Sequence, residues 1–136
     1  MLVMTLLRDV AIKHLLTIEP GDSLQHAAKA MSDRGVGSAV VMHDGKVAGI
    51  ITERDILQEV AKRTSFDDTS VNDVMTKEPV AGEPGWELTR AVTTMTQGGF
   101  RHLLVTEMDD PVGIVSLRDL MDAMVELVQD GSPLSD

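Results

Sequence analysis

Gly49-Ile50-Ile51-Thr52-Glu53-Arg54-Asp55 returns 64 residues further along the chain as Gly113-Ile114-Val115-Ser116-Leu117-Arg118-Asp119. In each copy an apolar, β-branched run meets a hydroxyl residue, and an acid stands three positions beyond it. That is the spacing of a capping box, in which the hydroxyl accepts from the third helical amide and the acid accepts from the amide of the cap residue. Both stretches therefore predict a strand that turns directly into a helix. The same shift holds without a gap on the N-terminal side of the motif. It aligns DVAIKHLLTIEPGDSLQHAAKAM with DVMTKEPVAGEPGWELTRAVTTM, and RGVGSAVVMHDGKVAGIITERDIL with GGFRHLLVTEMDDPVGIVSLRDLM. Between residues 9–55 and 73–119, 15 of 47 positions are identical, where ordinary composition gives about three by chance. The chain is a tandem duplication.

Each copy reads alike. A short apolar run (Leu15–Ile18; Val80–Ala81) precedes Glu-Pro-Gly, a turn signal that opens a helix. In the first copy Asp22 or Ser23 is placed to cap that helix, and Leu24, Ala27, Ala28 and Met31 make its apolar stripe. The runs SAVVM and KVAGIIT, separated by His43-Asp44-Gly45, predict a hairpin. A second helix is predicted from Glu53, with Ile56, Leu57 and Val60 facing inward. The second copy gives a helix over Glu87–Thr96, the strands HLLVT and VGIVS, and a helix over Leu117–Val128. Its stripe of Leu117, Leu120, Met121, Met124, Leu127 and Val128 is broad enough for a core and a subunit contact together. The fold class is α/β (α+β), with the order β-α-β-β-α in each unit. One such unit cannot cover both faces of its sheet, whereas two packed about a pseudo-twofold axis can. The expected boundaries are 8–63 and 70–129 for the repeats, 64–69 for a linker and 130–136 for a frayed tail, with a short helical turn starting at Ser70.

Composition narrows the chemistry. The 136 residues contain no cysteine, which removes thiol catalysis, zinc–thiolate sites and disulfides. Aromatic residues are only 2% (Trp86, Phe66 and Phe100), too few for a platform that stacks single-stranded nucleic acid. The net charge of −10 disfavours bulk binding to nucleic acid or anionic membranes. It is unevenly placed: residues 1–64 carry 8 basic against 8 acidic side chains, and residues 65–136 carry 4 against 14. The opening MLVMTLL reaches Arg8 too soon for a leader or a membrane span, so the expected setting is the cytoplasm. His14, His26, His43 and His102 show no metal-ligand spacing on a firmly read helix, and no metal site is expected.

The corner itself invites an anion. A helix N-terminus offers unpaired amides and partial positive charge. The cap hydroxyl and the arginine of the first turn add donors for phosphate. An aspartate at that point can accept from two adjacent ribose hydroxyls, as acidic residues do in other nucleotide sites. Gly49 and Gly113 withhold a side chain where a flat base would approach. The simpler reading is that Thr52–Asp55 and Ser116–Asp119 are only helix caps.

With GVGSAVV and GFRHLLV preceding GIITERD and GIVSLRD, the doubled pattern resembles a tandem pair of cystathionine-β-synthase (CBS) domains, a Bateman module, over about residues 8–128. The resemblance implies a regulatory, non-catalytic module. It would bind AMP, ADP, ATP, S-adenosylmethionine or a dinucleotide in the cleft between the repeats and act on a partner protein, with its helices pairing modules into a flat homodimer. By the same resemblance, Asp55 would hold the ribose in the first site, with Thr52 and Arg54 on the phosphates and the backbone near Leu16 and Ser38–Ala39 on the base. In the second site Asp119, Ser116 and Arg118 take those roles, with Val80, Arg101 and His102 nearby. Arg101-His102 stands where the first copy has Gly37-Ser38, which gives the second site two more phosphate donors. Two further readings are a purely structural dimerisation module and a nucleotide hydrolase with Asp55 or Asp119 as base. Against the hydrolase, neither motif offers a hydroxyl–histidine pair or clustered carboxylates for magnesium.

Overall fold

Ser38–His43 (β2) and Lys46–Thr52 (β3) pair antiparallel, with Ser38 opposite Thr52 and His43 opposite Lys46. The two-residue turn between them, Asp44-Gly45, has both φ angles positive, the geometry that matches the twist of paired strands and that Asp-Gly favours. The second copy repeats the hairpin with His102–Glu107 (β6) and Asp110–Ser116 (β7), His102 standing opposite Ser116. Both hairpins carry a register irregularity at the same place, after Val41 and after Val105. These elements belong to a computed structural model that describes residues 5–129; the expected tail, 130–136, lies outside the described residues.

The described chain forms two compact units, Leu15–Pro79 and a second made of residues 5–14 with 80–129. In the first, Thr17–Ile18 (β1) runs parallel to β2, and Thr76–Lys77 (β4) adds antiparallel to β3, giving a sheet in the order β1-β2-β3-β4. Leu24–Arg34 (α2) starts at Ser23, whose hydroxyl accepts from the His26 amide at 3.0 Å. Asp22 caps the preceding turn instead, accepting from the Glu19 amide at 2.9 Å, and also lies 3.8 Å from His26 Nε2. Gly35, at φ 65°, ends the helix, a left-handed position that glycine occupies without steric cost. Leu24, Ala27 and Met31 pack with Ile18, Ala39, Val41, Ile51 and Val71 into an aliphatic core.

In the second unit Ala81–Gly82 (β5) runs parallel to β6, giving the order β5-β6-β7. Leu88–Gly98 (α4) and Leu117–Gln129 (α5) complete it. Its core joins Leu88, Ala91, Met95, Leu103, Val105, Val115 and Leu120 to Leu7. Leu7 lies in Leu7–Val10 (α1), at the far end of the sequence. The Leu7 amide donates to the Trp86 carbonyl at 2.8 Å, and Ile12 exchanges both backbone bonds with Ile114.

Sequence repeat and compact unit thus part company at their leading edges. Residues 7–12 match 71–76 in the repeat register, yet they complete the unit of the second repeat, while Val71 and β4 complete that of the first. The expected linker 64–69 is also tied down. The Phe66 carbonyl accepts from the Gln25 amide, the Thr69 carbonyl from Leu24, and the Phe66 ring packs on the first core. Val71–Asp73 is the short helical turn expected from Ser70, and it is 3-10 in type.

One inward face is corrected. In Glu53–Ala61 (α3) Ile56 packs on the core, but Leu57 is 68% and Val60 57% exposed. Likewise Leu120 is buried in α5, whereas Met121, Val125 and Val128 are more than half exposed. Periodicity marks an apolar face without saying what covers it. Among the described residues no helix is long and apolar enough to cross a membrane.

Candidate functional site

Two strand-to-helix corners, β3 into α3 and β7 into α5, carry the residues singled out by the motif. Each lies wholly within one compact unit. In the first, Thr52 is the cap residue. Its hydroxyl accepts from the Asp55 amide at 3.3 Å, and Asp55 Oδ2 accepts from the Thr52 amide at 2.9 Å and from the Thr52 hydroxyl at 3.0 Å. In the second, the Asp119 amide donates to Ser116 Oγ at 3.0 Å, and the Ser116 amide donates to Asp119 Oδ2 at 3.2 Å. Asp55 and Asp119 are half-buried and so held in place, while Arg54 and Arg118 are exposed. Both caps engage Oδ2, which leaves Oδ1 of each aspartate outside the cap and able to accept from a hydroxyl donor.

The hairpin supplies the other wall. The Glu53 amide donates to the Gly37 carbonyl at 2.9 Å, and the Leu117 amide to the Arg101 carbonyl at 2.8 Å. Residues 37–38 and 101–102 are therefore fixed beside the first turn of each helix. Gly37 and Arg101 have this role through their carbonyls, which side-chain chemistry does not signal; only their place just before the strand that faces the cap could have pointed to it. Ser38 and Ala39 are buried, and Ala39 packs in the core of the first unit. The Leu16 carbonyl accepts from the Val40 amide at 2.9 Å, and Leu16 is half-buried. Val80, its counterpart, is exposed; Arg101 is exposed and His102 half-buried.

Two expectations change. A helix start leaves four amides without intrahelical partners, and three of them are already bonded in both corners: that of the cap residue, the first helical and the third. Donors for an anion must come mainly from side chains. The glycines, too, serve another purpose. A Cβ on Gly49 would stand 2.5 Å from the Thr76 carbonyl oxygen and 2.9 Å from Met75 Sδ. One on Gly113 would stand 3.0 Å from Ala11 Cβ and 3.4 Å from the Ile12 carbonyl oxygen. The missing side chains admit the lead-in segments, the Thr76 backbone at Gly49 and first of all the Ala11 side chain at Gly113.

A duplicated β-α-β-β-α fold with a capped corner in each copy defines a class of paired α/β modules. The CBS domain family model matches residues 7–62 and 71–126, and the chain belongs to the CBS-domain family. It is 31% identical over 132 residues to the CBS domain-containing protein YhcV of Bacillus subtilis, covering 97% of this chain and 94% of that protein. Among solved structures it is similar to the CBS-domain containing protein ATU1752 from Agrobacterium tumefaciens, with 31% identity, a TM-score of 0.82 and coverage of 88% and 92%. It also shares its fold with the CBS domain protein PAE2072 from Pyrobaculum aerophilum, a structure complexed with AMP, at 21% identity, a TM-score of 0.80 and coverage of 92% and 99%.

Proposed function

We propose that the chain is a cytoplasmic regulatory module that binds adenine nucleotides or related adenosyl compounds at its two corners and passes the signal to a partner protein. The observation that carries this reading is the aspartate held in each cap by one oxygen only, beside an exposed arginine in the first helical turn. Asp55 and Asp119 accept from the ribose hydroxyls through Oδ1. Thr52 with Arg54, and Ser116 with Arg118, Arg101 and His102, take the phosphates. Leu16 with Ser38–Ala39, and Val80, border the base. The AMP bound by the Pyrobaculum relative supports the ligand class. Binding switches such a module only by the difference in affinity between its two states.

The outward apolar residues, Leu57 and Val60 on α3 and Met121, Val125 and Val128 on α5, support assembly as a homodimer through these helices.

The second reading, a structural dimerisation module, is favoured by the completeness of the caps, since three bonded amides per corner need no ligand. Thermal unfolding with a panel of AMP, ADP, ATP, adenosine and S-adenosylmethionine separates the two. A ligand at 100 times its Kd adds about 2.7 kcal/mol of stability. Stabilisation without product supports the sensor, turnover an enzyme, and no response the structural module. Calorimetry of the Asp55→Ala/Asp119→Ala double variant then tests the site: wild-type binding there refutes the assignment.

A further inference from the structure

We propose that the two corners take different ligands: the corner of the second repeat an adenosyl compound that bears a phosphate, and that of the first an adenosyl compound whose 5′ group carries no negative charge. The inference rests on the adenosyl reading above and narrows it at the first corner, where Thr52 and Arg54 then meet an uncharged 5′ group in place of a phosphate.

The argument compares the two corners with each other, so the features they share cancel. Both have a helix N-terminus with the same three amides engaged, an arginine at the second helical position and an aspartate at the third. What differs is the charge fixed beside them. The first helical residue is Glu53 in one copy and Leu117 in the other. The residue whose carbonyl holds that position's amide is Gly37 in one and Arg101 in the other. Among the charged residues of these positions, the first corner sets one arginine against two carboxylates, and the second sets two arginines against one carboxylate. The backbone bonds of 2.9 Å and 2.8 Å pin these residues to the corner itself. The charge that differs between the copies is thus carried on residues adjoining the corner, whereas charge farther away in the second half is screened beyond about 8 Å at 0.15 M salt. The hydroxyls follow the same division. The Thr52 hydroxyl donates into Asp55 at 3.0 Å, whereas the Ser116 hydroxyl, which accepts from the Asp119 amide, makes no such donation among the described residues. The second corner thus offers a phosphate two neighbouring arginines and a hydroxyl, and the first offers one arginine and an added carboxylate.

AMP and adenosine are the probes, since they share base and ribose and differ by the phosphate alone. Calorimetry at about 0.15 M salt, where the Debye length is about 8 Å, uses the full chain with Asp55→Ala, which leaves the second corner, and with Asp119→Ala, which leaves the first. The second corner is expected to bind AMP about 10-fold more tightly than adenosine, a difference of about 1.4 kcal/mol, and to lose that preference on Arg101→Gln. The first corner is expected to bind adenosine at least as tightly as AMP, and Glu53→Leu, which leaves the cap groups in place, is expected to shift it toward AMP. An equal preference for AMP at both corners overturns this inference and leaves the adenosyl reading standing. Binding of neither probe by the wild-type chain overturns both. Should either aspartate variant fail to fold, Arg101→Gln and Glu53→Leu in the otherwise unaltered chain decide the matter: AMP affinity unmoved by both refutes the division.

Discussion

Replacing Gly49 by alanine tests how closely the lead-in strand β4 lies on β3. The new Cβ falls 2.5 Å from the Thr76 carbonyl oxygen and 2.9 Å from Met75 Sδ. Met75 is flexible and can yield, but the carbonyl belongs to backbone that pairs with β3 through Gly49↔Lys77 and Ile50↔Thr76. Relief requires β4 to move away and loosen that pairing. Overpacking of this kind costs about 1–3 kcal/mol, and a backbone obstacle puts Gly49 at the upper end. Alanine recovers about 0.4–1 kcal/mol by restricting the unfolded chain, so the net loss is about 2 kcal/mol. At Gly113 the nearest atom is the Ala11 side chain at 3.0 Å, which gives a net loss of about 1 kcal/mol or less. Urea unfolding of the two variants supplies the comparison. Companion changes sharpen it: against an Ala11→Gly background the cost of Gly113→Ala is expected to fall, whereas against Met75→Ala most of the Gly49→Ala loss stays in place. A smaller loss at Gly49 than at Gly113, or rescue by Met75→Ala, refutes the account of backbone contact.

Three further outcomes are expected. Leu7→Ala removes a fully buried side chain from the core of the second repeat at a cost of about 2–5 kcal/mol. Amide exchange should then accelerate in β6, β7 and α5 and not in β2 and β3; acceleration in the first repeat alone contradicts the assignment. The β6–β7 turn holds Met108 and Asp109 at φ 52° and 68°, where the first copy has Asp44-Gly45. Asp109→Gly should raise stability by about 1 kcal/mol in thermal unfolding, and a lower Tm counts against that. If the chain assembles through these helices as proposed, replacing Leu57 and Val125, exposed on α3 and α5, by lysine should lower the sedimentation coefficient to that of a monomer in analytical ultracentrifugation without lowering helix content; an unchanged coefficient counts against the proposed interface.

The caps were legible because their information is local. Thr52–Asp55 and Ser116–Asp119 fix hydrogen bonds within three residues of themselves, and the bonds form as the spacing predicts. The hairpins were legible for a similar reason: alternating apolar runs around a two-residue turn set their own register. Other features depended on residues far away in sequence. Gly49 reads as room for a ligand until Thr76 is placed against it, and Gly113 until Ala11 is. The amides of Glu53 and Leu117 read as open until the carbonyls of Gly37 and Arg101 reach them. Leu57 and Val60 share the apolar pattern of Ile56, and no pattern tells which neighbour of a helix is protein and which is solvent.

By itself, the sequence determined the duplication, the β-α-β-β-α order and the two corners with an aspartate in each cap, because hydrogen-bonding reach and side-chain periodicity act over a few residues. Tertiary structure alone decided which lead-in completes which core. Residues 7–12 and 71–76 are equivalent in the repeat, and either could in principle fill either hydrophobic gap; the packing of Leu7 with Leu88 and Leu120, and of Val71 with Leu24 and Ile51, fixes the choice.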